Sequence, residues 1–151
     1  MPLLVLPALM ALVSQMPFAV DRKPLPRGED WQVLLPADLG PYHRESLKAP
    51  TRDRDGEARY AGKGETFFLL FGKAPDARAL RDILATVERE SKSQPGQLIE
   101  EKVDLRVPGA YVLRIEKRGA FFAWARGTYY FSVETKGGKA TLQAFLERFP
   151  Y

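Results

Sequence analysis

Among 151 residues there is no cysteine and a single histidine, His43. Without cysteine, thiolate nucleophiles, zinc–thiolate sites, iron–sulfur clusters and covalent c-type haem attachment are excluded. A Ser-His-Asp triad would have to use His43, and no nucleophile-elbow sequence accompanies it. His43 lies between Tyr42 and Arg44, away from any run of carboxylates, and reads as a surface or structural residue. The lack of cysteine does not fix the compartment, because an exported domain of this size can fold without disulfides.

The third absence is charge. Met1 to Val20 contains no Asp, Glu, Lys or Arg, and Asp21, Arg22, Lys23 and Arg27 follow at once. Three structures share this composition. A transmembrane helix needs roughly 20 apolar residues, which Pro2 to Val20 just supplies. A cleaved signal peptide needs a basic start and small residues before the cleavage site; here no Lys or Arg precedes Arg22, and Pro17 falls at the third-last position of the best site. A buried soluble segment is the third alternative. The expectation is an N-terminal anchor with Leu3, Leu4, Leu6, Leu9, Leu12 and Phe18 in lipid and Arg22 and Lys23 on its flank, beside anionic headgroups. Arg22, Lys23 and Arg27 pull that flank toward the cytoplasm, yet the reading adopted is an extracytoplasmic domain.

Behind the anchor, residues 21–40 carry Pro24, Pro26, Pro36, Gly28 and Gly40 and read as an extended linker. Trp31 there either marks the membrane interface or docks onto the folded domain. Residues 41–151 suffice for one core and not two. The net charge of +4 arises from 23 basic and 19 acidic residues of interspersed sign, which gives no stripe for nucleic acid; solubility or lipid headgroups account for it.

Within this domain the pattern predicts an α+β fold. Ala58 to Ala61 and Thr66 to Phe71 read as strands around a Gly62-Lys63-Gly64 turn. Leu80, Ile83, Leu84 and Val87 then mark one face of a helix. Phe121 to Arg126, Tyr129 to Glu134 and a helix over 140–149 repeat the order, which suggests a duplicated β-β-α unit. Tyr42 to Leu47, Leu98 to Leu105 and Ala110 to Glu116 add strands. The fold expected is a single-domain antiparallel, meander-rich sheet with two helices packed on one face.

That fold should leave the second sheet face polar, but Phe67 to Phe71 has no polar side and Phe121 and Phe122 point to opposite faces. The linker, other strands or a partner protein must cover it. Phe122, Trp124, Arg126 and Tyr130 are therefore the candidate partner or ligand surface, with Arg126 able to stack or hold an anion.

Chemistry beyond binding finds little footing. Asp53-Arg54-Asp55-Gly56-Glu57 opens like a calcium loop, but its twelfth position is Gly64. Gly62-Lys63-Gly64 and Gly137-Gly138-Lys139 are too short for phosphate loops, and Glu88 to Glu90 and Glu100-Glu101 read as solvated charges. No catalytic residue, metal ligand or cofactor is assigned, and no family signature is specific enough to name. The expectation is a membrane-anchored, non-enzymatic binding domain, an accessory or assembly subunit of a membrane protein complex. The alternative is an exported domain that binds a small molecule or anion, and a carboxylate-only hydrolase would require two carboxylates facing one cleft.

Overall fold

The computed structural model describes residues 16–20, 22–28, 30–93 and 96–151. These carry a short helix α1 (Trp31–Leu34), strands β1 (Asp38–Leu39), β2 (Tyr42–Lys48), β3 (Gly56–Gly62) and β4 (Glu65–Lys73), and helix α2 (Ala77–Ser93). Strands β5 (Leu98–Asp104), β6 (Tyr111–Glu116), β7 (Gly119–Arg126) and β8 (Tyr129–Thr135) follow, and helix α3 (Lys139–Leu146) comes last. All eight strands form one antiparallel sheet in the order β1-β2-β3-β4-β8-β7-β6-β5.

Local chemistry explains the elements. Lys63 and Gly64 both hold positive φ, 53° and 75°, so the two-residue turn between Gly62 and Glu65 has the twist that closes a β3–β4 hairpin. Asp76 caps α2 by accepting the Ala79 N–H at 2.8 Å. Leu80 and Leu84, two of the four residues in the predicted helix stripe, are fully buried.

The placement of the helices departs from expectation. Leu80 and Leu84 of α2 pack with Val112, Ala123 and Ala125, whereas Leu142, Phe145 and Leu146 of α3 pack with Phe67, Phe122 and Trp124. Successive strand residues face opposite sides, so Ala123 and Trp124 place the two helices on opposite faces of the sheet, not on one. The duplication fares similarly. Connectivity does repeat, as four strands and a helix taken twice, and the order 1-2-3-4-8-7-6-5 is that of two halves meeting at β4 and β8. A two-fold axis that exchanges adjacent antiparallel strands runs perpendicular to the sheet and keeps both helices on one side. The observed helices break it.

The face away from α2 is closed by the chain's own N-terminal residues. Phe18 meets Phe122 edge-on with ring centroids 5.0 Å apart, and Val20 has no exposed surface. Trp31 lies against Phe71 and Tyr129, and Leu34 and Leu35 are fully buried. Hydrogen bonds from Tyr129 Oη to the Gly28 carbonyl (2.9 Å) and from Tyr60 Oη to the Pro36 carbonyl (2.7 Å) hold the described part of residues 21–40 on the sheet. Arg22 donates to the carbonyls of Leu146, Glu147 and Phe149, at 3.1, 2.5 and 3.3 Å, placing a cation where the end of α3 is negative.

Two residues expected at the membrane thus serve the fold: Phe18 is core, and Arg22 caps a helix. Leu3, Leu4, Leu6, Leu9 and Leu12 lie outside the described residues. Among the described residues, no helix is long and apolar enough to cross a membrane.

Candidate functional site

Of the four residues expected to form a contact surface, Phe122 and Trp124 meet in the core and Arg126 and Tyr130 lie elsewhere. Phe122 and Trp124 have no exposed surface. Their rings stack 5.1 Å apart, Trp124 meets Phe131 at 5.3 Å and Phe149 at 5.8 Å, and its Nε1–H donates to the Tyr151 carbonyl at 2.9 Å. Arg126 is half-buried at the β7–β8 turn. Tyr130 alternates to the other face, passes over Gly72, where a Cβ would come within 2.2 Å of its oxygen, and donates its hydroxyl to the Asp55 carboxylate. Burial, and then this bond, hold the Tyr130 phenol above its ordinary pKa.

A more informative signal is buried polarity, since polar side chains are seldom enclosed without cause. Among the described residues the buried polar side chains are Arg114, Ser132 and Thr135, and all three line one groove of about 440 Å³. Its walls come from the C-terminal half of α2 (Val87, Glu90, Ser91), from β4 (Leu70), β6 (Arg114, Glu116), β7 (Gly119, Ala120, Phe121) and β8 (Ser132, Glu134, Thr135). Arg118 and Lys136 stand at adjoining turns.

Strand register builds this site. Arg114 on β6 lies opposite Glu101 on β5 and Phe121 on β7, and Phe121 lies opposite Glu134 on β8. The Arg114 guanidinium, 9% exposed, donates through Nε to Glu116 Oε1 at 2.7 Å and through Nη1 to Glu101 Oε2 at 3.4 Å. Glu101 also faces Lys92 at 3.8 Å, and Lys92 is bound to Glu88 at 2.7 Å one turn earlier in α2. This charge chain ties the last turn of α2 to the β5–β6 edge. Its neighbour Glu100 is held below its ordinary pKa, first by the hydrogen bond from Lys139. The Thr135 hydroxyl accepts the Gly137 N–H at 3.2 Å.

The arrangement can hold a ligand of mixed character: an apolar floor, three cations (Arg114, Arg118, Lys136) and three carboxylates (Glu90, Glu116, Glu134) surround one opening. Those glutamates do share a cleft, but Glu116 is engaged by Arg114. His43 pairs with Asp38 at 2.5 Å, with both side chains about 70% exposed. Among the described residues, no group of three or more His, Asp or Glu side chains could hold a metal ion.

Sequence reasoning missed this groove because Arg114 and Glu116 alternate with Leu113 and Ile115 as outward residues of a half-buried strand do. They are covered because α2 leaves β4 at the centre of the sheet and must cross β8, β7 and β6 to reach β5 at the edge. Comparison with family models, with curated proteins and with solved structures gives no match for this chain.

Proposed function

We propose that this chain is a non-enzymatic binding domain, held at a membrane by its uncharged N-terminal segment, that serves as an accessory or assembly subunit of a larger membrane protein complex and receives its partner in the groove beside α2. The observation that supports this reading is the convergence of the buried Arg114 and Ser132 on an opening with an apolar floor and a charged rim. Protein interfaces combine an apolar centre, a polar rim and an enrichment in arginine. A partner segment carrying both charges would find Arg118 and Lys136, and Glu90 and Glu134, around the same opening. The same proposal assigns the domain to the extracytoplasmic side, which a reporter fused at the C-terminus tests directly.

The fold constrains such a membrane attachment. Phe18, Val20 and Arg22 are already fixed to the domain, so they take no part in an inserted segment. The test is extraction of the full chain in mild detergent with a photo-crosslinking residue at position 118. A stoichiometric membrane protein, crosslinked from this position and lost on combining Arg118→Glu with Lys136→Glu, is expected. Recovery of an uncrosslinked monomer refutes the reading.

A second reading, an exported small-molecule-binding domain, draws on the groove's size, which falls within the range of about 300–1,000 Å³ typical of ligand pockets. It predicts that a small polar ligand raises the melting temperature of the isolated protein, and that Ser132→Ala removes the effect.

A further inference from the structure

At the other end of α2 lies a second cleft, of about 570 Å³, between the first turns of the helix and the segment after β5. Its walls are Ala77, Leu105 and Val107, and its charged residues are Arg78, Arg81 and Arg106, all cationic. Arg106 is fixed in place: its Nε and Nη2 donate to the two carboxylate oxygens of Asp104 at 3.0 and 2.8 Å, and its backbone N–H donates to the same group at 3.0 Å. On the helix side Asp76 caps Ala79, and Asp82 follows Arg81 in the sequence without lining the cleft. Arg78 and Arg81 are exposed and enter no ion pair among the described residues.

Three guanidinium groups and no carboxylate line this cleft; Arg106 is balanced by Asp104, which leaves Arg78 and Arg81 as the cations that an anion would engage. Guanidinium forks match pairs of oxygens on a tetrahedral anion, and donors arriving from a helix and from a facing loop reach different edges of it. We propose that this cleft binds a phosphate group, either free or as the headgroup of a phosphate ester, with Arg78 and Arg81 as the principal donors, Arg106 as the preorganised third, and Leu105 and Val107 flanking the ester's organic part. The site is separate from the α2 groove and does not rest on the partner reading.

The experiment uses the full chain in mild detergent. Titration with inorganic phosphate, followed by NMR of the amides and the arginine Nε–H groups, is expected to give saturable shifts at Ala77 to Arg81 and at Arg106. Combining Arg78→Gln with Arg81→Gln should weaken the response at least about tenfold, since each removes charge-assisted hydrogen bonds. Arg59→Gln, which alters an arginine paired with Glu45 on another strand, should leave it unchanged.

Flotation with phosphatidylcholine vesicles, with and without phosphatidate, separates the two sources. Insertion of the N-terminal segment contributes equally to both, so a gain with phosphatidate that the double variant loses identifies a lipid headgroup. Saturation by inorganic phosphate without that gain identifies a soluble ester. No saturable shift and no phosphatidate-dependent gain, or a response that the double variant retains, overturns the proposal.

Discussion

Replacing Trp124 with alanine should unfold much of the molecule's stability margin while leaving no hole in any surface. The side chain has no exposed area and contacts Phe122, Phe131 and Phe149, and its indole N–H is satisfied only through Tyr151. A buried Trp→Ala change costs about 3–5 kcal/mol, made up of lost transfer energy and residual cavity. Domains of this size have about 5–15 kcal/mol in total, so the loss amounts to a large fraction of it. At this chain length the melting temperature should fall by about 6–20 °C.

Trp124→Phe separates the two contributions. It keeps a stacked ring, loses the bond to Tyr151, and should cost about 1–2 kcal/mol. Urea denaturation followed by far-UV circular dichroism measures both variants. Had Trp124 formed a contact surface, Trp124→Ala would melt within a degree or two of the parent and lose only binding. That result would refute the buried position of the β7 aromatic row and the covering role of the N-terminal residues.

Other perturbations test separate parts of the fold. Arg22→Gln removes a cation that caps three carbonyls at the end of α3, and should cost about 1–2 kcal/mol in denaturation; unchanged stability would return Arg22 to the membrane. Gly56→Ala places a Cβ 2.3 Å from the buried Phe71 ring and should destabilise by about 1–3 kcal/mol through overpacking. Arg114→Ala strands Glu116 and Glu101 at the groove and should cost about 3 kcal/mol, the low end for a broken buried pair because both partners are a quarter exposed, while Arg114→Met, which keeps the stem, should cost less.

Alkaline pH supplies a fifth test. Burial raises the pKa of Tyr42, Tyr60 and Tyr130, so above about pH 10 the unfolded chain releases phenolic protons that the folded chain keeps. Stability is full below that pH and falls as pH rises, by up to about 1.4 kcal/mol per unit for a fully protected tyrosine such as Tyr60. Absorbance titration should show Tyr42, Tyr60 and Tyr130 ionising late; ionisation of all three near pH 10 would contradict the burial.

The strands and the two long helices were legible in the residues because period and punctuation are local. Leu80, Ile83, Leu84 and Val87 can share a face only on a helix, and Lys63-Gly64 between strands favours a tight hairpin whatever surrounds it. The surplus of aromatic side chains was legible too, since Phe67 to Phe71 has no polar face to offer water. Which layer met that surplus was not: the linker, other strands or a partner would each satisfy the residues, and the linker's prolines and glycines concealed Leu34 and Leu35 as core residues.

By itself, then, the sequence determined composition-level exclusions, the α+β class, most element positions and the apolar surplus of the central strands, of which Phe68 stays exposed. Only the tertiary structure decided that α2 and α3 lie on opposite faces, that Phe18 and Trp31 seal one of them, and that Arg114 and Ser132 are enclosed in a groove. The physical reason is that periodicity specifies which side of an element is apolar, whereas the face to which a helix returns, and therefore which outward residues it covers, is set by packing between segments far apart in the chain.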